Sequence, residues 1–428
     1  MYRTGFIVAF LLSATICTAG ARASAVADNV LQETPQTGDS AFNYRTLHEN
    51  APKVENRRDV PRFALLGKEG KFYMGFGANI KLIGAYDFGH PVDNPDLFTT
   101  SAIPMTIPGG DNAQIKFSAA QSNIYMNIVA MPGSKDQLGA YASIIFTGND
   151  YTPGLEHGYL KYRDITAGYT YSIFTDAAAL PATIDYQGPN AFTSVIHGMI
   201  AFEPRFGRED AWKAGMGLDI PAASCTNALH TATLSQRVPD IPFYLQRNWA
   251  GGEGWMRLSG IVRNICYRDE TSAKNQYVTG WGVKVSGTAP VAGGLKAYFQ
   301  ALYGSAISSY IQDLTGCGMD LVPDAGNPGR LQPVKAWAGY GALHYVFSPK
   351  VTCTAIYSHV RTYAGRYDDT LNPWGSEYKY AQYVLGNVFY NINSIVQVGA
   401  EYIYGRRVNR DGEQAHDNRV EAMIQVSF

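Results

Sequence analysis

The chain has 428 residues, of which 46% are hydrophobic and 17% charged. It carries less charge than the roughly 25% of average soluble domains, yet it is too apolar to be disordered. Length alone would allow two or three soluble domains of about 150 residues each. However, 44 Gly, 29 Tyr and 19 Phe without long apolar runs indicate one large β structure that exposes aromatic surface. The formal charge of −1 gives no basic excess with which to hold nucleic acid.

The chain opens with Arg3, an apolar run from Phe6 to Ile16, and small-x-small sites at Ala21-Arg22-Ala23 and Ala23-Ser24-Ala25. This pattern reads as a cleaved secretory signal peptide over residues 1–25. Cys17 does not make it a lipoprotein signal, because Ile16 precedes it where a small residue is needed. Without the leader, 33 basic residues stand against 36 acidic, a balance that says nothing about partners. Nothing after residue 25 approaches the ~18 to 20 continuous apolar residues of a membrane helix, so an exported chain can stay in a membrane only through strands. The remaining cysteines, Cys225, Cys266, Cys317 and Cys353, allow three pairings that sequence cannot choose between. Cys225 and Cys266 fall in or beside neighbouring external loops. His157, His197, His344 and His359 are scattered without metal-ligand spacing, so neither a metal nor another cofactor is expected.

Residues 26–70 are polar and aperiodic, most simply a periplasmic N-terminal extension with room for one short helix. From Lys71 onward the texture changes. Phe72, Met74, Phe76, Ala78, Ile80 and Leu82 alternate with Tyr73, Gly75, Gly77, Asn79 and Lys81, a period of two with one apolar face. The same alternation recurs to the end of the chain and predicts strands near 71–87, 114–130, 137–147, 155–164, 165–174, 195–203, 211–220, 241–247, 254–268, 277–287, 295–304, 334–347, 351–360, 379–390, 395–406 and 418–428. The boundary around Arg163-Asp164 is the faintest. Short connections such as 132–136 and 348–350 alternate with long ones at 88–113, 175–194, 221–240, 304–333 and 361–377. That asymmetry, the even strand count and the aromatics near strand ends (Tyr86, Phe88, Trp212, Tyr303, Trp337, Phe347, Tyr402, Tyr404) describe an all-β transmembrane antiparallel barrel spanning residues 71–428, with short periplasmic turns and long external loops. A secreted sandwich or propeller also alternates, but its strands are shorter and no blade repeat is visible. The final strand, Val420, Ala422, Ile424, Val426 and Phe428 against Arg419, Glu421, Met423, Gln425 and Ser427, ends on an aromatic, as outer-membrane barrel strands do. It must close onto the first strand, because hydrocarbon leaves no unpaired N–H tolerable. Sixteen strands are too many for side chains to fill and leave an aqueous lumen.

Several blocks resemble the DcaP-like porin family: Gly168-Tyr169-Thr170-Tyr171-Ser172-Ile173-Phe174-Thr175-Asp176, Leu180-Pro181 through Gly188-Pro189-Asn190, Pro239-Asp240-Ile241-Pro242, Tyr303-Gly304 with Tyr310-Ile311-Gln312-Asp313, and Glu401-Tyr402-Ile403-Tyr404-Gly405-Arg406-Arg407. The resemblance implies a homotrimeric outer-membrane porin of a Gram-negative bacterium, seated in the lipid bilayer and its lipopolysaccharide, that passes small, often anionic solutes such as dicarboxylates. Members of the family often carry a periplasmic coiled coil. Residues 26–70 are too short and aperiodic for one, so a trimer would rest on the barrel wall.

A porin performs no covalent chemistry, and no catalytic residue is expected. Its filter is fixed charge at a narrow section. Two groups are candidates. Loop 175–194 follows the fifth strand, where porins fold a loop into the lumen; Asp176, Asp185, Tyr186 and Asn190 are its polar candidates, and Leu180-Pro181 and Gly188-Pro189 stiffen it. The alternative is an ordinary external loop. The second group is a basic set of Arg247, Arg257, Arg263 and Lys284, which would lower the barrier for anions. The alternative is that these cations pair with carboxylates for no selective purpose. Asp219, Glu401 and Glu421 also fall on the lumen parity, so the net sign stays open. The leading reading is a general or anion-preferring diffusion porin. The rivals are an outer-membrane enzyme, for which no Gly-x-Ser-x-Gly or assembled triad is visible, and a surface receptor or adhesin that works through its external loops. An energised receptor is excluded because residues 26–70 are too few for a plug domain.

Overall fold

The computed structural model describes residues 46–52, 63–66, 71–107, 113–327, 329–364 and 378–428. The leader at 1–25, most of the extension at 26–70 and most of the connection at 361–377 lie outside the described residues. Sixteen antiparallel strands close into one barrel. In chain order they are β1 (Phe72–Asp87), β2 (Gln114–Ser118 with Asn123–Ala130), β3 (Leu138–Ile145), β4 (Gly154–Tyr162), β5 (Ile165–Tyr171), β6 (Ile196–Phe202), β7 (Trp212–Asp219), β8 (Ile241–Trp249), β9 (Gly254–Asp269), β10 (Lys274–Ala292), β11 (Leu295–Ser305), β12 (Lys335–Ser348), β13 (Val351–Tyr363), β14 (Tyr378–Asn391), β15 (Val396–Asn409) and β16 (Gln414–Ser427). Each pairs with its successor. The faint boundary at Arg163-Asp164 is a two-residue turn between β4 and β5, with Arg163 at φ 54°.

Closure occurs where the hydrocarbon argument requires it. β16 runs against β1 from Ser427 opposite Asn79 to Arg419 opposite Asp87. Phe428 then exchanges both backbone hydrogen bonds with Ala78, at 2.8 and 3.2 Å. Below Ala78, where β16 has ended, Phe63–Leu66 pairs with β1 from Phe76 to Tyr73 and covers the remaining edge. The N-terminal extension thus completes the seam. β2, expected to be continuous, breaks at residues 119–122. There the Ala120 N–H donates to Ser118 Oγ and the Lys81 N–H to Ser122 Oγ, both at 3.1 Å, so side-chain hydroxyls replace the ladder.

The two faces are inverted relative to a soluble sandwich. Ile80, Leu82, Ile115, Phe117, Met216, Leu258, Val283 and Leu343 are exposed, whereas Asn79, Lys81, Asn127, Ser143, Thr170, Glu401 and Glu421 are buried. Apolar outside and polar inside is what a lipid-embedded barrel requires, and it removes the sandwich and propeller alternatives. Of the strand-end aromatics, Tyr86, Phe88, Trp212, Tyr303, Trp337, Phe347 and Tyr402 stand on the exposed face, and Tyr404 is half-buried. Among the described residues none of the four cysteines, Cys225 and Cys266 included, forms a disulfide.

At one rim the strands are joined by tight turns such as 163–164, 293–294 and 349–350. At the other rim most connections are long, with three short ones among them (146–153, 270–273, 410–413). The long connections after β1, β5 and β11 pack together with the inner wall. Phe98, Ile103, Phe174, Leu180, Phe192, Tyr310, Ile311 and Leu314 form one buried apolar cluster with Ala338, Tyr340, Ile356, Val360, Tyr383 and Ile403. Gly405 on β15 makes this packing possible, since a Cβ there would lie 2.4 Å from Phe98 Cε1. Gly405→Val is expected to displace Phe98 and destabilise the barrel by about 1–3 kcal/mol, as overpacking does. Differential scanning calorimetry of the detergent-solubilised protein checks this; an unchanged midpoint would contradict the packing.

Candidate functional site

The segment 172–195, between β5 and β6, is shaped by its own short-range bonds. The Phe174 N–H donates to Ser172 Oγ at 3.0 Å, a 3-10 turn spans Ala177–Ala179, Thr183 Oγ1 donates to the Asp185 carbonyl at 2.8 Å, and Gly188 sits at φ 66°. Two proline pairs limit the rest. The sequence therefore prescribes a stiff path rather than a free loop.

That path is tied to side chains of the inner parity. Glu401 on β15 accepts the Ile184 and Asp185 N–H groups at 2.8 and 2.9 Å. Asn387 on β14 donates to the Ala182 carbonyl at 2.9 Å, Tyr340 on β12 to the Ala179 carbonyl at 2.8 Å, and Gln300 on β11 to the Ala191 carbonyl at 2.7 Å. Lys284 on β10 donates to the Phe174 carbonyl, and Lys81 on β1 to the Ile184 carbonyl at 2.9 Å. A charge-assisted acceptor such as Glu401, holding two backbone N–H groups, is the strongest of these anchors.

The four loop residues nominated from sequence all lie on this tethered segment, and three of them act as fasteners. Asp176 accepts from Ser286 Oγ at 2.7 Å and Trp255 Nε1 at 3.1 Å, with Arg257 at 3.7 Å. Burial pushes its carboxyl up, but Arg257 and Lys284 together hold it below the ordinary value. Asp185 accepts the Phe98 and Gln187 N–H groups and the Tyr383 hydroxyl; here burial prevails and the carboxyl is raised. Asn190 donates to Thr100 Oγ1 at 2.8 Å and accepts from Ser358 Oγ at 2.6 Å. Tyr186 differs. Its hydroxyl donates to Glu156 on β4 at 2.6 Å, and its side chain lines the cavity described below.

The basic set divides. Arg263 is buried and paired with Asp240 at 3.0 Å and Asp320 at 3.2 Å, so it ties the connections before β8 and after β11 to β9. Lys284 is buried and donates to the Phe174 carbonyl and to Thr193 Oγ1. Arg257 is half-buried, 4.1 Å from the Tyr244 ring and donating to Gln246 at 2.7 Å. Arg247 departs from the pore-lining expectation. Pro242, Tyr244 and Gln246 take the inner parity of β8, so Arg247 faces outward with Phe243 and Leu245 and lies 5.1 Å from the Trp212 ring.

A cavity remains between the segment and the wall formed by β1, β2, β5, β6 and β16. Asn79, Lys81, Gln121, Asn123 and Gln425 line it from the wall, Tyr171, Ser194 and Ile196 from the segment's base, Leu180, Tyr186, Gln187 and Phe192 from the segment, and Gln312 from the connection after β11. Lys81 Nζ donates to Gln121 Oε1 at 2.5 Å and to the Ile184 carbonyl, and makes no direct ion pair among the described residues. Asp96, Asp185, Glu401 and Glu421 lie within electrostatic reach. Gln187 Nε2 and Gln312 Oε1 are buried polar atoms without a hydrogen-bond partner among the described residues. A lone cation among amides, with an orphaned donor and acceptor, suits a solute that carries a carboxylate and hydroxyl or amide groups. These residues were not nominated from sequence, although Asn79 and Lys81 stand on the polar parity of β1. Among the described residues no group of three His, Cys, Asp or Glu side chains is placed to hold a metal ion.

No protein-family model and no curated relative matches the chain. Among solved structures it is similar to the outer membrane channel DcaP of Acinetobacter baumannii, with a TM-score of 0.71 and 19% identity over 85% of this chain and 100% of that one. It is also similar to the anion-selective porin from Comamonas acidovorans (TM-score 0.55, 9% identity, 83% of this chain and 100% of that one) and to OmpT, an outer membrane protein of Vibrio cholerae (TM-score 0.52, 10% identity, 85% and 99%). At these identities the likeness establishes the fold, and the resemblance to the DcaP type read from sequence blocks holds in three dimensions.

Glu401→Ala removes the acceptor of two segment N–H groups, each lost buried bond costing about 1–3 kcal/mol. Chymotrypsin is expected to cleave after Tyr186 or Phe192 markedly faster in this variant than in the parent; equal rates would contradict the anchoring.

Proposed function

We propose that the protein is an outer-membrane porin, a passive diffusion channel for small hydrophilic solutes with a preference for those bearing an anionic group, and not an enzyme. The observation that carries this reading is the cavity beside segment 172–195, with Lys81 facing it and, among the described residues, no carboxylate in direct contact with its ammonium. The segment starts between β5 and β6, and its hydrogen bonds reach β10 through β15 and β1. In a ring of sixteen strands these lie across from its origin, which supports a constriction loop inside the lumen. Asp176, Asp185 and Asn190 hold that loop, and Tyr186 borders the passage.

Lys81 sets the sign of the filter; Arg257, already matched to Asp176 at 3.7 Å, adds less to it. Arg263 and Lys284 position the loops. Of the four carboxylates near Lys81, Glu401 is engaged by Ile184, Asp185 and Asn387, Asp185 by Phe98, Gln187 and Tyr383, and Asp96 and Glu421 through one oxygen each, by Ser118 and Arg419. The fold shared with a porin that is itself anion-selective supports the same preference. The exposed apolar wall suits a lipid bilayer under lipopolysaccharide and assembly as a homotrimer, and dicarboxylate-like solutes match a lone ammonium among amides.

Purified protein in planar bilayers is expected to give stepwise conductances with a reversal potential, under a salt gradient, on the anion side. Lys81→Gln should move that potential toward cations by more than Arg257→Gln does. Silent insertion would overturn the channel reading, and an unmoved potential in Lys81→Gln would remove this residue from the filter.

A further inference from the structure

We propose that the inner wall of β2, β3 and β4 is a docking surface for the chain's own residues 46–52, and that the docked segment is a second, built-in narrowing of the channel at the tight-turn rim. This rests on the porin reading for its functional consequence, but the docking stands on contacts of its own.

Residues 46–50 form a short helix whose two faces separate cleanly. Thr46, Leu47, Asn50 and Ala51 are buried, while His48 and Glu49 are exposed. That spacing is one helical face turned to a wall and one turned to water. The wall is the inner parity of β2–β4 beside the turns at 131–137 and 163–164. Leu47 packs with Tyr73 and Val129, and Ala51 with Tyr125, Tyr141 and Tyr159. Asn50 is the polar anchor. Its Nδ2 donates to Asn127 Oδ1 at 2.6 Å, the Ala140 carbonyl at 3.1 Å and the Ile128 carbonyl at 3.3 Å. In return Asn127 Nδ2 donates to the Leu47 carbonyl at 2.6 Å.

The helix end is held as well. The Asn50 carbonyl accepts from the Tyr159 hydroxyl at 2.6 Å and from Lys161 Nζ at 3.0 Å, and the Glu49 carbonyl from Lys161 at 3.4 Å. Final helical carbonyls have no partner within the helix, so a lysine and a tyrosine from β4 serve as the cap. The wall is cut to fit: a Cβ on Gly139 of β3 would lie 2.0 Å from Asn50 Oδ1. Three strands thus each contribute something specific, namely an amide from β2, a vacant position on β3 and two donors from β4. In this proposal the exposed His48 and Glu49 are the side chains that the docked helix presents to a solute moving toward this rim.

The test uses the full chain. Leu47→Gln with Asn50→Ala removes the apolar and polar anchors, and Gly139→Leu fills the space that Asn50 occupies. In both variants single-channel conductance is expected to rise by about half or more, because a series constriction is removed. A conductance equal to the parent's in variants that still run as folded barrels overturns the narrowing. Leu47→Cys with Val129→Cys reads the docking without any current. The linked peptide is expected by mass spectrometry after mild oxidation of the folded protein, and its absence overturns the docking. A parent protein that never conducts overturns the porin reading and, with it, the narrowing, while the linked peptide still decides the docking.

Discussion

Hydrocarbon offers no partner to a peptide N–H, and each unpaired group there costs several kcal/mol. That single penalty organises the molecule. It explains why Phe428 is hydrogen-bonded to Ala78, why β16 and β1 share a ladder although they lie far apart in the sequence, and why Phe63–Leu66 returns to cover the stretch of β1 that β16 does not reach. Once the ring is closed, side-chain parity has only two destinations, and the apolar parity goes outward.

The interior is then governed by the opposite problem, that of charges and amides removed from bulk water. Arg419 sits between Asp87 and Glu421, with carbonyls of Val92 and Asn94 completing its donors. Arg263 lies between Asp240 and Asp320. Such pairs contribute little net stability but are costly to break singly, so they fix which connection lies against which strand. The same logic separates fastening groups from filtering ones. A cation already matched to a carboxylate has little left for a passing solute, whereas Lys81 is held by an amide and a carbonyl.

Much of the architecture was legible because period-two alternation survives without any alignment. The sixteen runs, the closure through Phe428 and even the turn at Arg163-Asp164 follow from local pattern. The segment at 175–194 was also legible, since Leu180-Pro181 and Gly188-Pro189 announce stiffness. What was not legible depends on pairing across long separations. Nothing near Arg263 in sequence reveals Asp320, and nothing near Glu401 reveals Ile184. Arg247 was assigned without regard to its parity with Phe243 and Leu245, which places it outside. Lys81 stood on the polar face of β1 in plain view, but its significance lies in having no direct counter-ion among the described residues, a three-dimensional fact. The break in β2 arises from two serine hydroxyls that compete with the ladder, a local effect hidden by an otherwise unbroken alternation. The contacts of the extension's short helix with the barrel were not legible either, because Leu47, Asn50 and Ala51 are too few to form a visible pattern.

Every strand of such a barrel must turn its apolar parity to lipid and its polar parity to the channel. Spin labels placed one at a time along β1 from Asn79 to Ala85 test it most directly, by comparing collision with oxygen, which partitions into lipid, and with a water-soluble nickel chelate. Oxygen access should peak at Ile80, Leu82 and Gly84 and be lower at Asn79, Lys81, Ile83 and Ala85, in strict alternation. Equal access at successive positions, or an alternation of the opposite phase, would contradict it.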